Sequence, residues 1–307
     1  MEIDRPAGPA AALPKKTKEP RYISFTQQEL PACRLLLTPA WVIGICLVLA
    51  IVLLPIGAGC LHAAFSVEEV SASYDQLCAA GTSYAEKEAS LLQTQGNGTQ
   101  CSLQLTVRKA MTAPVFVYYE LTSFYQNHRR YAGSEDNSQL RGVARTGSVL
   151  GGCSPEQYLA GNTSAVIDPC GLVAWTLFND SYTLASGGNA IAVQTIGIAY
   201  PTQLNSQLSN TVHPQNFNTV PTLRGGGTLP DAPLNTDQRF ANWMRIAALS
   251  RFRKLWGVIE QDLPAGATVN VSIVNAYNTY SFGGSKAVDL KQITGSYSRL
   301  DPSSVLM

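Results

Sequence analysis

From Leu35 to Val67 the chain contains no Asp, Glu, Lys or Arg, and no other stretch restricts its possible structures as strongly. From Trp41 onward the run WVIGICLVLAIVLLPIGAGCLHAA is apolar almost throughout. A helix that crosses a bilayer needs about 20 such residues, and a helix satisfies its own backbone groups where no water can. Pro55, Gly57 and Gly59 fall in its second half and loosen it, which neighbouring groups in a membrane can accommodate. A core helix of a soluble domain is shorter than this. A cleaved signal peptide has an apolar region of about 7–15 residues close to the first residue, whereas this run begins near position 40.

The flanks orient the segment. Arg5, Lys15, Lys16, Lys18, Arg21 and Arg34 precede it, whereas Glu68, Glu69 and Asp75 follow it with no nearby cation. The bias of cations toward the cytosol predicts a cytosolic N-terminus and an exoplasmic region after Phe65. The sequons at Asn97, Asn162, Asn179 and Asn270 all follow the apolar run, so these asparagines are candidate glycosylation sites. Cys33, Cys46 and Cys60 lie at or within the run. Cys78, Cys101, Cys153 and Cys170 lie beyond it, in an oxidising compartment on this topology. Four cysteines allow three pairings. Sequential pairing, Cys78 with Cys101 and Cys153 with Cys170, closes the shortest loops and is the expectation; free buried thiols are the alternative.

Charged residues make up 14% of the chain, against about 25% in a soluble domain. The net charge of +1 gives no field that would attract nucleic acid. Residues 1–24 read as a disordered cytosolic tail, 25–38 as a cytosolic segment before the helix, 39–65 as the spanning helix, and 66–307 as a β-rich exoplasmic domain. In that domain Ser102–Val107, Val115–Leu121, Ala190–Ala199 and Thr268–Val274 carry strand patterns. Val67–Leu92 has a weak helical spacing, and 201–236 is loop-like, with Gly225–Gly227 read as a flexible turn. Asp237–Glu260 predicts one amphipathic helix, with Phe240, Trp243, Met244, Ala247, Phe252, Leu255 and Ile259 near a 3.6 period.

Catalytic signatures are missing. The chain has no Asp-x-Asp to hold a metal on a sugar nucleotide, no Gly-x-Ser-x-Gly elbow, no His-Glu-x-x-His and no phosphate loop. Its histidines, His62, His128 and His213, are far apart in sequence. No enzyme activity, cofactor or metal is expected.

The stretch Pro114–Gly142 (PVFVYYELTSFYQNHRRYAGSEDNSQLRG) resembles the hallmark segment of the cell cycle control protein 50, or ligand-effect modulator 3, family. Phe25-Thr-Gln-Gln-Glu-Leu-Pro31, Tyr74-Asp-Gln-Leu-Cys78, Pro169-Cys-Gly-Leu172, Phe178-Asn-Asp180, Trp243-Met-Arg-Ile-Ala-Ala-Leu249, Phe252-Arg-Lys-Leu255 and Tyr280-Ser-Phe-Gly-Gly284 follow the family's order. Members are β-subunits of type IV P-type ATPases, the phospholipid flippases. The resemblance implies an antiparallel β-sandwich with helical insertions, stapled by two disulfides and resting on the ATPase α-subunit. It also implies a membrane-lipid environment and residence in the endoplasmic reticulum, Golgi or plasma membrane. The β-subunit lets its partner leave the endoplasmic reticulum and stabilises its transport cycle.

Candidate partner contacts are Phe25, Gln27, Gln28 and Pro31 before the helix, and Phe124, Tyr125, Asn127, His128, Arg129, Arg130 and Tyr131 in the hallmark segment. Tyr and Arg are enriched at interface hot spots; for Arg129 and Arg130, cross-linking of loops within the domain is the competing role. The chain departs from the family in two places. Trp175 stands where the family carries a small polar residue, and Lys286–Met307 is polar where the family has a second membrane helix. The expectation from the second departure is a single crossing, weaker binding to the α-subunit and a frayed C-terminal end. A stand-alone type II surface glycoprotein or receptor, or a type II glycosyltransferase, is the alternative.

Overall fold

The structure is a computed structural model that describes residues 23–30, 38–65, 67–221 and 224–292. The chain separates into two compact units, residues 1–59 and 60–307. Pro39–Phe65 forms one helix of 27 residues with none of them buried by protein. At 1.5 Å per residue it is about 40 Å long, more than the roughly 30 Å of a hydrocarbon core. Among the described residues it is the one helix long and apolar enough to cross a membrane.

Among the described residues nine strands form two antiparallel sheets: β1 Glu68–Ser73, β2 Thr99–Thr106, β3 Val115–Leu121, β4 Ser181–Ser186, β5 Asn189–Ile191, β6 Val193–Gln194, β7 Phe252–Ile259, β8 Thr268–Asn275 and β9 Lys286–Gln292. One sheet runs β1-β9-β3-β7-β6 and the other β2-β8-β4-β5. Alternation along β2 and β8 sends Leu103, Leu105, Val269, Val271 and Ile273 inward, while Gln104, Asn270 and Ser272 face solvent. The inward residues meet Val115, Val117, Leu121, Val288 and Leu290 of the other sheet in one continuous core. The result is a sandwich with helical insertions, as the sequence and the resemblance imply.

Several local expectations are corrected. Helix in the 237–260 region is confined to Gln238–Met244, and Phe252–Ile259 is a strand paired with β3. Arg245 takes an extended backbone (ψ 113°). The Lys254 ammonium then donates to the carbonyls of Asn242 and Trp243, at 3.0 and 3.1 Å, and to that of Arg245. These carbonyls lack acceptance partners at a helix C-terminus, so a buried lysine ends the helix there. Lys286–Gln292, the start of the stretch expected to fray, is β9, which lies between β1 and β3 and pairs with both, whereas 293–307 lies outside the described residues.

Val67–Leu92 splits into β1, a helical turn at Asp75–Cys78 and a helix at Tyr84–Gln93, which Ser83 and Glu86 start with a reciprocal capping box. Strand structure in 190–199 is reduced to β5 and β6. Gly225–Gly227 is a packed turn. Gly227 N–H donates to Leu177 O at 2.7 Å, and a Cβ at Gly226 would stand 2.7 Å from Leu177 N. The Trp175 ring fills the space that a Cβ at Gly225 would need and stacks edge-on against Phe217 at 5.8 Å.

Candidate functional site

The hallmark segment leaves β3 at Leu121 and reverses at Ser123, whose φ is +59°. Three hydrogen bonds then tie it to the stretch after the Gln238–Met244 helix. Phe124 N–H donates to Ser250 O at 3.1 Å, Ala247 N–H to Gln126 Oε1 at 2.9 Å, and Asn127 Nδ2 to Ala248 O at 2.8 Å. Two motifs more than a hundred residues apart in sequence (|i−j| = 121 for the last two bonds) are thus fused into one surface.

The candidate residues divide by role. Phe124 points inward, its ring 5.4 Å from Tyr131 and Phe282 and 5.9 Å from Trp243. Tyr131 is half-buried, with its hydroxyl 2.8 Å from Thr176 Oγ1. Tyr125, Asn127, His128, Arg129 and Arg130 are exposed. Among the described residues neither Arg129 nor Arg130 makes an ion pair, so the loop cross-link is not what holds them. Tyr125 is 62% exposed and Leu249, which sequence reasoning did not select, is 71% exposed. Both side chains are held out by the hydrogen-bonded scaffold of the two motifs. Phe25, Gln27 and Gln28 are exposed on a turn over 24–28, and Pro31 lies outside the described residues.

Behind this surface lies a charge network with no sequence signature. The Lys286 ammonium, fully buried, sits 2.8 Å from the equally buried Asp180 carboxylate and also donates to Asn275 Oδ1 and Tyr277 O. Asp180 accepts from Tyr74 Oη and from the backbone N–H groups of Ala276 and Tyr277, each at 2.6 Å. Burial, then the Asp180 charge, push the Tyr74 hydroxyl well above its ordinary pKa, so it remains a donor. On the outer face of the five-stranded sheet, Arg253 joins three strands, contacting Glu69, Glu120 and Asp289 at 2.8–2.9 Å. Burial pulls Lys254 down to about 7 and raises Asp168 to about 7, the latter aided by nearby Asp136.

Disulfides join Cys78 to Cys101 and Cys153 to Cys170, with Cα separations of 5.1 and 5.6 Å. The first ties the Asp75–Cys78 turn to β2. Cys46 and Cys60 are unpaired on the apolar helix, and Cys33 lies outside the described residues. Asn97, Asn162 and Asn270 are exposed. Asn179 is half-buried, its Oδ1 enclosed and its Cβ 3.0 Å from where a Cβ on Gly227 would stand.

The family model described as LEM3 (ligand-effect modulator 3) family / CDC50 family matches residues 60–298. The chain is 42% identical to ALA-interacting subunit 3 of Arabidopsis thaliana, over 92% of this chain and 80% of that relative. It is 31% identical to cell cycle control protein 50A of Mus musculus, over 95% and 85% of the two chains. It is also 32% identical to the phospholipid-transporting ATPase accessory subunit CRF1 of Saccharomyces cerevisiae, over 87% and 77%. The chain belongs to the ligand-effect modulator 3 / CDC50 family.

Proposed function

We propose that this chain is the non-catalytic accessory (β) subunit of a phospholipid-flipping type IV P-type ATPase, forming a heterodimer with the α-subunit. It supports that subunit's exit from the endoplasmic reticulum and its transport cycle. The observation that carries the reading is alignment along most of the chain with a protein named as a phospholipid-transporting ATPase accessory subunit and with one named as an ALA-interacting subunit. The apolar helix Pro39–Phe65 supplies a membrane anchor. The cations before it favour a cytosolic N-terminus, with the sandwich in the lumen of the endoplasmic reticulum and Golgi or outside the cell. ATP hydrolysis and the lipid path belong to the α-subunit.

The surface joining the hallmark segment to Ala247–Ser250 is the docking patch, with Tyr125 and Leu249 as anchors. Truncating a hot-spot side chain costs about 2 kcal/mol or more, so Tyr125→Ala with Leu249→Ala is expected to lower partner recovery about tenfold or more. The measurement is a detergent pull-down of the full chain with mass spectrometry for a protein of P-type ATPase size. Wild-type chain that brings down no such protein sinks the subunit reading; undiminished recovery with the double variant relocates the patch.

The exposed Asn97, Asn162 and Asn270 are proposed to carry N-glycans, whereas the half-buried Asn179, its Oδ1 enclosed and its Cβ beside the packed Gly225–Gly227 turn, is proposed to stay unmodified. Endoglycosidase digestion followed by peptide mass spectrometry should find glycan remnants at the three exposed positions. A remnant on Asn179 in folded protein contradicts the packing argument.

A further inference from the structure

Beside the docking patch lies a cavity of about 350 Å³ that no motif explains. Its wall takes Glu135 and Asn137 from the hallmark segment, Arg245 and Ile246 from the stretch after the helix, and Gln203 and Gln207 from the irregular 201–236 excursion. Three segments distant in sequence therefore converge on it. Glu135 and Arg245 have opposite charges, yet no ion pair joins them. The guanidinium of Arg245 stacks on Tyr200, 4.1 Å from the ring centroid, which fixes its plane and leaves its N–H edge without a carboxylate. The Glu135 carboxylate is held by Asn137 Nδ2 at 3.2 Å. Gln203 is 4% exposed; its Nε2 donates to Ala241 O, and its Oε1 has no partner.

Two unpaired opposite charges in one cavity suit a ligand that carries both signs. Arg245, Gln207 and Asn137 offer several N–H donors, which match an anion with more than two oxygens better than a carboxylate. The Glu135 carboxylate is an acceptor suited to a primary ammonium, to which it can offer both of its oxygens. We infer that this cavity binds a small ammonium–phosphate zwitterion of the phosphoethanolamine class, either free or as the headgroup of a phospholipid. The inference goes beyond the subunit reading and is independent of it, because its readout uses this chain without the ATPase.

The test titrates the full-length chain in detergent with glycerophosphoethanolamine, followed by calorimetry. Saturable binding is expected, weakened about tenfold or more in Arg245→Ala and in Glu135→Gln, each of which removes a charge-assisted contact. Glycerophosphocholine, whose ammonium donates no hydrogen bond, should bind about tenfold more weakly. Thermal unfolding of both variants checks that they fold, and Gln207→Ala on the same wall gives a milder variant that should also weaken binding. Absence of binding, equal binding by serine, or affinity unchanged in all three variants overturns the inference. Repeating the titration in nanodiscs of phosphatidylethanolamine or phosphatidylcholine identifies the source. Competition by the first bilayer alone assigns a lipid headgroup, and no competition by either assigns a free zwitterion.

Discussion

Asp180→Ala is expected to cost about 3–5 kcal/mol, because it leaves the Lys286 ammonium buried without its counter-charge. It also removes the acceptor for Tyr74 Oη and for two backbone N–H groups. A domain of this kind has only about 5–15 kcal/mol in total, so the variant should lose a large share of its stability and unfold at much lower urea. The companion Lys286→Met removes the other charge, and a hydrophobic replacement of a whole buried pair is often neutral or better. The double variant Asp180→Ala with Lys286→Met should therefore regain a good part of the loss in urea unfolding of the purified chain. Strictly additive losses would show that the pair is not coupled, and a single-variant cost below about 1 kcal/mol would show that water reaches it.

Trp243→Ala should be at least as damaging although Trp243 touches no solvent and no candidate contact residue is altered. The ring is fully buried between Phe124 and Tyr277, each 5.9 Å away, and its Nε1–H donates to Val173 O at 2.7 Å. Emptying such a site costs about 3–5 kcal/mol, and the orphaned carbonyl of Val173 adds about 1–3 kcal/mol. Trp243 also backs Phe124, so its loss should collapse the docking patch and abolish partner recovery. Trp243→Phe keeps most of the packing and loses the hydrogen bond, and should fall between the two in unfolding midpoint and in recovery. If Trp243→Ala kept a normal midpoint yet lost its partner, the ring would belong to the interface rather than to its support.

Replacing these residues exposes how unevenly the structure can be read from the sequence. Tyr125, Arg129 and Arg130 were legible as a cluster of contact-forming residue types, and the structure leaves them exposed. Leu249 was hidden, because it lies off the apolar stripe of the helix that the periodicity presents over 237–260, and a single leucine on the opposite face carries no signal of its own. That helix fails at Arg245 because Lys254 caps it and Gln126 and Asn127 capture the backbone of Ala247 and Ala248. All of those partners come from other elements, and a 3.6-residue spacing carries no information about them.

The sequence by itself determined the long apolar helix Pro39–Phe65, since a run that satisfies its own backbone and exposes almost only apolar side chains needs no neighbour to fix its form. It determined β2, β3 and β8 as well, where alternating or continuous apolar residues suit a sheet face packed on a core. Only the tertiary structure decided β9. Lys286, Asp289 and Gln292 mark the stretch as polar, and they are buried because Asp180, Asn275, Arg253 and Thr112 arrive from distant strands and loops to meet them. A charged side chain enters a protein interior when its partner is already there, and a local pattern does not report that partner.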